Sequence, residues 1–445
     1  MELDTLIVNG MVVTVNPDFE IIGKGWVGVR NGRIVAVEAQ RSDSVMPKAR
    51  ETVDADGGIV MPGLVNTHTH LPMSLFRGLA DDLPLMTWLN DHIFPAEAAF
   101  IHPESVYTGT LLACAEMLLS GTTTCCDGYF HEHSAAQAVS LAGLRAIMGQ
   151  GVIDYPAPGV PDPSENIAVA GGFVRHWQHR VPLIQPSVFC HSPYTCSDKT
   201  LQSAKELARY TGSLFQIHVA ETRSEYEMIQ ACHHLSPIAY LDSLNVLDSR
   251  TLLVHAIWLD DVDIEIIARS GAGISHTPES AMKLGSGIAR IQDIIEAGIP
   301  VGLGTDGCAS NNNMDMFQEM DIAAKLHKVS TLNPQIMNSR TVLKTSTIGG
   351  ARSIGMDGMI GSLETGKQAD ILILNIQTPH WTPLYHPESH IVYAATGSDV
   401  RDVMIDGVWQ VKNRTLVHLD LDDILDQART EGKRIQEWRI HREPT

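Results

Sequence analysis

Short apolar runs alternate with amphipathic stretches over most of the chain, from Ile59 to about Met356. Parallel βα units produce this alternation, because their strands are buried on both faces and each is followed by a helix with one apolar face. Eight runs have the length and composition of buried strands, around residues 59–66, 122–126, 145–150, 184–190, 214–219, 251–255, 272–276 and 300–305. Helical patterns lie between them, at 104–119, 198–210, 260–269, 289–297 and 315–328. Eight units across about 300 residues predict an α/β fold of the (β/α)8 barrel type, in preference to a doubly wound sheet.

The two ends of the chain have a different pattern, with short strands separated by turn residues. Asn9-Gly10, Asn31-Gly32 and Asp406-Gly407 each stand between two apolar runs, which predicts three β-hairpins. The first 58 residues supply too few strands for a stable unit of their own. We therefore expect both ends to form one β-sandwich that flanks the barrel. The predicted division is 1–58 and 357–420 for the two parts of the sandwich, 59–356 for the barrel and 421–445 for a C-terminal helix.

The net charge of the chain indicates which classes of binding partner are unfavourable. It has 52 acidic and 32 basic residues and a formal net charge of -20, so nucleic acids and anionic membrane surfaces would be repelled. The N-terminus is acidic where a signal peptide would be basic, and no apolar run approaches about 18 residues. The seven cysteines form no CxxC pair, which fits reduced thiols better than a disulfide framework. We expect a cytoplasmic protein that binds neither nucleic acid nor membrane.

Titratable side chains end at least six of the eight predicted strands. His68 and His70 close the sequence IVMPGLVNTHTH, and residues at i and i+2 of an extended segment point to the same side. Later strands end with His191, His218 and Glu221, His255, His276, and Asp306. Any one histidine could be a buried or loop residue without a function. Because the carboxyl ends of barrel strands meet at one mouth, their recurrence favours a single metal site there.

Eight segments carry a resemblance to a known family. They are PGLVNTHTH (62–70), FRGLADDLPLMTWL (76–89), HSPY (191–194), HVAET (218–222), HAIWLDD (255–261), KLGSGIA (283–289), GLGTDGCASNNNMDMF (302–317) and GSLETGKQADILIL (361–374). On these segments the chain resembles the amidohydrolase superfamily, and within it the 5-methylthioadenosine/S-adenosylhomocysteine deaminases. The resemblance implies metal-dependent hydrolytic deamination of an adenosine-type nucleoside, namely 5'-methylthioadenosine, adenosine or S-adenosylhomocysteine, to the inosine analogue and ammonia.

The resemblance also implies the roles of individual residues. One divalent ion, Zn2+ or alternatively Fe2+, would be bound by His68, His70, His218 and Asp306, with water in the open position. Asp306 would also accept a proton from the water, His255 would steady the attacking oxygen, and Glu221 would carry a proton to the ring nitrogen. Contacts to the substrate would come from Trp88, Glu97, His191, Glu221, His255 and Ser310.

Several of these residues have alternative interpretations. Glu221 could be a surface N-cap of the next helix, Glu97 an exposed helix acid, and Trp88 a core residue. The sequence HTPESA (276–281) also departs from the HNPxSN that is usual in the family, at Thr277, Glu279 and Ala281.

The Pro-rich segment 151–166 is too long for a simple connection and could form part of the substrate rim. Between Gln150 and residue 163 it offers no arginine for a carboxylate-bearing tail. We therefore expect an uncharged adenosine-like substrate to be preferred over the zwitterionic S-adenosylhomocysteine.

Two other functions fit part of the pattern. A triazine, guanine-like or pyrimidine aminohydrolase, or a chlorohydrolase, would use the same machinery, but Glu97 and His191, to which the resemblance assigns the sugar, would then have no purpose. A non-catalytic scaffold barrel would lack ligands or the proton shuttle, whereas every one of those residues is present. The sequence thus favours a small-molecule nucleoside substrate, and a symmetric homo-oligomer is common among such enzymes.

Overall fold

The N-terminal segment forms the first strands of a mixed sheet in the computed structural model, which describes residues 2–41 and 46–440. These strands are β1 (Leu3–Val13), β2 (Ile21–Arg30), β3 (Arg33–Ala39), β4 (Ala49–Asp54) and β5 (Ile59–Pro62). β1 pairs antiparallel with β2 and parallel with β4 and β5. The hairpin predicted at Asn31-Gly32 is confirmed, since Arg30 of β2 pairs with Arg33 of β3 across this turn.

The hairpin predicted at Asn9-Gly10 is wrong, because β1 continues through both residues. Asn9 has a φ of 56°, and the pairing with β2 shifts register between Ile7 and Gly10, as in a β-bulge. A Cβ on Gly10 would lie 2.4 Å from Cγ2 of Val60. The Asn-Gly pair therefore allows a bulge and a close approach to β5 within one strand.

Eight parallel strands close into a barrel, in chain order from first to last. They are β6 (Leu64–Thr69), β7 (Thr122–Tyr129), β8 (Arg145–Val152), β9 (Ile184–Cys190), β10 (Phe215–Val219), β11 (Thr251–His255), β12 (Gly273–His276) and β13 (Val301–Leu303). Nearly every residue of these strands is buried, because side chains fill the interior and helices cover the outside. The predicted barrel is confirmed.

The C-terminal strands complete the mixed sheet. They are β14 (Ile371–Leu374), β15 (Val400–Ile405), β16 (Val408–Lys412) and β17 (Thr415–Leu416). The strand order is β17-β16-β15-β14-β5-β1-β2-β3, with β4 beside β1. Both chain ends therefore build one flanking β unit, as expected, and the strands of the expected sandwich belong to a single mixed sheet. The turn at Asp406-Gly407 joins β15 to β16, as predicted. The division into domains stays a prediction, and residues 1, 42–45 and 441–445 lie outside the described residues.

The apolar run 59–66 predicts one barrel strand, but the structure divides it at Gly63. β5 pairs with β14 in the mixed sheet, whereas β6 opens the barrel. A Cβ on Gly63 would lie 2.0 Å from Oγ1 of Thr123. Glycine is thus required where the chain leaves the sheet and enters the barrel.

Helices cover the barrel and connect its strands. The α-helices of six or more residues are Phe94–Phe100, Pro103–Leu119, Glu132–Ala142, Asn166–Trp177, Asp198–Thr211, Arg223–His233, Pro237–Ser243, Asp261–Ser270, Pro278–Lys283, Ile291–Glu296, Met316–Thr331, Ser339–Thr345, Ile348–Ser353, Pro387–Tyr393 and Leu421–Ile440. The remaining helical segments are a 3-10 helix at Leu71–Phe76, a π-helical turn at Trp88–Ile93, and shorter turns at Leu85–Thr87, Pro163–Glu165, Cys308–Asn311, Pro379–Trp381 and Gly397–Asp399. Within the described ranges, no helix has the length and apolarity needed to cross a bilayer.

A buried ion pair connects the barrel to the mixed sheet. Arg145 of β8 donates from Nε to Oδ2 of Asp370 at 2.9 Å and from Nη2 to Oδ1 at 2.8 Å. Asp370 directly precedes β14 and also accepts a hydrogen bond from the backbone amide of Asp406 at 2.8 Å. The two side chains are 2% and 3% exposed, so the pair is fully desolvated and depends on this two-point geometry.

Candidate metal centre and active site

Four side chains converge at the carboxyl-terminal mouth of the barrel. His68 is in β6 and His70 directly follows it, while His218 is in β10 and Asp306 follows β13. Nε2 of His68 lies 3.1 Å from Nε2 of His218 and 3.5 Å from Oδ1 of Asp306. Nε2 of His70 also lies 3.5 Å from Oδ1 of Asp306. The structure thus brings together all four residues predicted to bind the metal.

The donor types fit a divalent cation, and the contacts of 3.1 to 3.5 Å that link the four residues are close enough for ligands of one ion. In the described part of the chain, two sets of three donors lie within 4.8 Å of one another, His68 with His70 and Asp306, and His68 with His218 and His255. Burial lowers the pKa of His68 to about 4 and that of His218 well below its usual value, so both rings are neutral, as ligands must be. Burial alone would raise the pKa of Asp306. The facing imidazoles of His68, His70 and His255 have the larger effect and lower this pKa well below its usual value, so the carboxyl is ionised.

Neighbouring groups orient two of these ligands. Nδ1 of His70 donates to the carbonyl oxygen of Gly128 at 2.7 Å, which leaves Nε2 free to bind a cation. Oδ2 of Asp306 accepts from the hydroxyl of Ser280 at 2.7 Å, and Oδ1 accepts from the backbone amide of Gly307 at 2.7 Å. The side chains are therefore held in a binding orientation by the protein itself.

Glu221 and His255 lie beside the cluster and face each other. Oε2 of Glu221 lies 3.7 Å from Nε2 of His255, and Nδ1 of His255 lies 2.7 Å from Oγ1 of Thr277. Burial, with a smaller contribution from the charge of Asp306, raises the pKa of Glu221 to about 8. Burial lowers the pKa of His255 to about 4. At neutral pH the Glu221 carboxyl is therefore a proton donor and the His255 ring is neutral.

The alternative interpretation of Glu221 as a surface N-cap is wrong. Thr222 caps the helix Arg223–His233, since its side chain accepts the amide of Glu225 at 3.2 Å. The Glu221 side chain is 15% exposed and lines the pocket above the cluster.

The residues predicted to contact substrate line this same pocket. Trp88 is buried there, and its Nε1 donates to the carbonyl of Ala80 at 3.1 Å. Glu97 is also buried, so it is not an exposed helix acid. His191 lies 2.9 Å from the hydroxyl of Thr195 through Nδ1, and the Ser310 hydroxyl donates to the carbonyl of Gly307. Their roles toward a substrate stay predictions.

Tyr129 belongs to the site although the sequence analysis did not identify it. Its hydroxyl donates to Oε1 of Glu97 at 2.5 Å, and its ring centroid lies 5.9 Å from that of His70. Burial raises the pKa of Glu97 to about 7 against the opposing effect of this hydrogen bond. The available signal was weak, because the predicted strand 122–126 stops three residues before Tyr129, whereas the observed strand β7 extends to it and so reaches the mouth where the histidines meet.

Two further features predicted from the sequence are His276, which lies outside the donor cluster, and the segment 151–166, of which one part lines the pocket. His276 ends β12, but its Nε2 lies 2.9 Å from Nε2 of His327, outside the four-donor cluster. Of the segment 151–166, residues 151–153 line the pocket. The pocket lining contains no arginine or lysine among the residues that the structure describes.

The three departures in HTPESA have different surroundings. Thr277 contacts His255, as described above. Glu279 accepts hydrogen bonds from the side-chain amides of Asn313 and Gln318. Ala281 packs in a small apolar cluster with Ile257 and Ala289. Of the three, Thr277 is thus the one that contacts a candidate catalytic side chain.

Comparison with known proteins identifies related sequences over nearly the whole chain. The model of the amidohydrolase family matches residues 59–409. The chain is 44% identical over 426 residues to a 5-methylthioadenosine/S-adenosylhomocysteine deaminase of Syntrophobacter fumaroxidans, covering 96% of this chain and 97% of that protein. It is 42% identical over 427 residues to a 5'-deoxyadenosine deaminase of Methanosarcina mazei, covering 96% of each.

Solved structures show the same architecture. An adenosine deaminase from Xanthomonas campestris with bound zinc has a TM-score of 0.95 and 38% identity, covering 98% of this chain and 99% of that one. An atrazine chlorohydrolase from Arthrobacter aurescens complexed with zinc has a TM-score of 0.89, with coverage of 96% and 100%, but only 21% identity. The second likeness is therefore one of fold alone.

Proposed function

The chain belongs to the amidohydrolase family, and we propose that it is a metal-dependent deaminase of adenosine-type nucleosides, forming the inosine analogue and ammonia. The observation that carries this proposal is the cluster of His68, His70, His218 and Asp306 beside the largely buried carboxyl of Glu221, in a pocket that also holds Glu97. The relatives named as deaminases of such nucleosides support it.

His68, His70, His218 and Asp306 would hold one divalent ion, for which Zn2+ is the first choice because three imidazoles and a carboxylate suit it. Zinc is bound in the similar adenosine deaminase structure. A divalent ion here supplies a water of lowered pKa as the nucleophile and acts as a Lewis acid.

The side chains around the cluster move the protons. Asp306, held ionised, accepts a proton from the nucleophile. Glu221 donates its proton to the ring nitrogen next to the carbon that is attacked, which makes that carbon more electrophilic. The neutral ring of His255 hydrogen-bonds the oxygen on which charge develops. The proton held by Asp306 then passes to the amino group, which leaves as ammonia, while the second proton of the attacking oxygen returns to Glu221 as the carbonyl forms. One water is consumed and one C–N bond is broken.

The rest of the pocket supports binding of a nucleoside. We assign the ribose hydroxyls to Glu97 and His191, the purine ring to Trp88, and a further polar contact to Ser310. The wall of the pocket that holds Glu97 includes apolar side chains such as Leu85, Ile93 and Phe130. Such a wall favours an uncharged 5'-substituent, because a zwitterionic tail would lose hydration without gaining a cationic partner.

Other heteroaromatic rings remain the second candidate because the fold is shared with an atrazine chlorohydrolase. Against them stands the buried carboxyl of Glu97: its Oε1 accepts the hydroxyl of Tyr129, and a bare ring would offer no hydroxyl to its other oxygen. A non-catalytic scaffold does not account for a complete donor cluster with an adjacent proton donor. The cytoplasmic location and a homo-oligomeric state stay predictions.

The test is ammonia release from a panel of 5'-methylthioadenosine, 5'-deoxyadenosine, adenosine, S-adenosylhomocysteine and a triazine, with metal content measured on the same protein. We expect the highest kcat/KM for the uncharged 5'-substituted nucleosides. A much higher kcat/KM for S-adenosylhomocysteine would overturn the assigned tail preference. Activity on the triazine alone would overturn the nucleoside assignment itself.

A further inference from the structure

The hydroxyl of Thr277 has no role in the chemistry described so far, although it contacts the site directly. Thr277 follows β12, and its Oγ1 lies 2.7 Å from Nδ1 of His255 at the end of the paired strand β11. Thr277 is 1% exposed and His255 is 3% exposed. Neither group can exchange this partner for bulk water.

The direction of this hydrogen bond follows from the other partners of the hydroxyl. A neutral imidazole has one donor and one acceptor nitrogen, whereas a hydroxyl can act as both. Within the part of the chain that the structure describes, Nδ1 of His255 is the one hydrogen-bond partner of Thr277 Oγ1. If Nδ1 carried the proton, the hydroxyl hydrogen would be buried without an acceptor, which is unfavourable. The hydroxyl therefore donates to Nδ1, and the proton of the neutral ring resides on Nε2.

We infer that Thr277 is a positioning residue that holds His255 as the tautomer with its proton on Nε2. Its meaning for catalysis rests on the proposed function. Nε2 of His255 lies 3.7 Å from Oε2 of Glu221, and one ring nitrogen of His255 lies within 4.8 Å of a ring nitrogen of each of His68 and His218. The N–H on Nε2 therefore lies on the side of the ring that faces the proton shuttle.

The position of the proton on the ring determines whether His255 acts as a hydrogen-bond donor or as an acceptor in the reaction. A donor at Nε2 stabilises the negative charge that grows on oxygen as the ring carbon is attacked. The opposite tautomer would present a lone pair at the same place and would repel that charge. Thr277 thus makes His255 a hydrogen-bond donor and leaves proton acceptance to Asp306.

Two variants distinguish the effect of the Thr277 hydroxyl from the effect of the shape of its side chain. Thr277→Val keeps the branched shape and removes the hydroxyl, whereas Thr277→Ser keeps the hydroxyl. The direct readout is the long-range 1H–15N correlation spectrum of protein labelled with 15N-histidine, recorded on the metal-free and the zinc-loaded forms. The His255 signals are assigned by their loss in His255→Gln. We expect protonated Nε2 and bare Nδ1 in the wild type and the serine variant, and a mixture of tautomers in the valine variant.

The second readout is the separation of kcat from KM in zinc-loaded protein with 5'-methylthioadenosine. We expect the valine variant to lose roughly 10- to 100-fold in kcat with KM changed less than about twofold, since the lost interaction acts on the transition state. The serine variant should stay within about threefold of the wild-type kcat, since it keeps the hydroxyl donor.

A wild-type spectrum with the proton on Nδ1 of His255 would overturn the inference. So would a valine variant with wild-type kcat, whatever its spectrum. If the valine variant does not fold, the wild-type and serine spectra still decide the tautomer. If the wild type deaminates no adenosine analogue, the proposed function fails, while the spectra still decide whether Thr277 fixes His255.

Discussion

Two buried carboxyl groups, Glu97 and Glu221, have pKa values raised to about 7 and about 8, and burial is the main cause in both. A surface glutamate would be ionised at neutral pH, so neither group behaves as a surface acid. Glu221 keeps its proton for donation to a ring nitrogen, whereas Glu97 changes its hydrogen-bonding capacity within the physiological range. The same physical effect therefore gives the two residues different uses.

Glu221→Gln should lower kcat by roughly 10²- to 10⁴-fold with KM little changed, because the amide cannot donate a proton to the ring nitrogen. The measurement is ammonia release from 5'-methylthioadenosine at saturating and limiting concentration. The matched control is Glu227→Gln, six positions along the chain, where the side chain is exposed and pairs with Arg223. Full activity of the Glu221 variant would remove the assigned shuttle.

KM for an adenosine-type substrate should fall roughly tenfold between about pH 6 and about pH 8, because ionised Glu97 accepts two hydroxyl protons and the protonated form accepts fewer. The sign follows from a raised pKa, since the group is protonated below about 7 and ionised above it. Glu97→Gln should show a higher KM that no longer depends on pH over this range. A wild-type KM that is flat with pH would contradict the role given to Glu97.

The sequence identified some residues of the site and missed others for a physical reason. His68, His70 and Asp306 end strands in recognisable segments, and the structure brings them together. Tyr129 was not identified because its partner Glu97 lies 32 positions away, across a contact that only the folded barrel creates. Thr277 was singled out as a departure from the family, but its contact with His255 depends on the pairing of β11 with β12.

At the scale of secondary structure, the connection between the barrel and the mixed sheet depends on a charged pair. Arg145 of β8 and Asp370 beside β14 are both buried, and each is paired through two hydrogen bonds. A buried charge is costly unless its partner is present, so the pair specifies one relative position of the two elements.

Arg145→Met should lower the free energy of unfolding by about 3 to 5 kcal/mol, because it leaves Asp370 buried without its counter-charge. Urea unfolding followed by circular dichroism measures the change. The control is Arg269→Met, which breaks an exposed pair with Asp242 and should cost less than about 1 kcal/mol. Equal losses in the two variants would contradict the role given to the buried pair.

The turn residues show how far local sequence can predict an element. Asn31-Gly32 and Asp406-Gly407 form the predicted hairpin turns, whereas Asn9-Gly10 lies inside β1 as a bulge. The local signal is the same in all three, since each pair permits a positive φ. Gly10 differs from the other two glycines because it packs closely against Val60 of β5. This contact forms only when the sheet assembles, so the local sequence does not indicate it.

At the scale of the whole molecule, the metal ligands come from strands that are far apart in the chain. β6, β10 and β13 supply or precede the four donors, and their closure into one barrel makes the site. The barrel could be predicted because eight βα units leave few other arrangements. The passage from sheet to barrel at Gly63 could not be predicted, since residues 59–62 and 64–65 on its two sides are alike apolar and either unit would bury them.

Because the cation joins distant strands, its binding should stabilise the folded protein. We expect chelator-stripped protein to lose deaminase activity and to show a lower Tm, and added Zn2+ to restore both, with saturation at one ion per chain. Asp306→Asn should largely abolish the rise in Tm. The control is Asp81→Asn. Asp81 forms an ion pair with Lys283 outside the donor cluster, so this variant should keep the full rise in Tm on addition of zinc. An equal response in the two variants would contradict the ligand assignment.

Every catalytic role assigned above depends on the binding of one divalent ion by His68, His70, His218 and Asp306. The decisive experiment is anomalous diffraction at the zinc edge from crystals of the zinc-loaded protein. We expect one strong peak about 2.0 to 2.2 Å from Nε2 of each of the three histidines and from a carboxylate oxygen of Asp306. A crystal with no peak at this cluster, or with its peak on other residues, would contradict it.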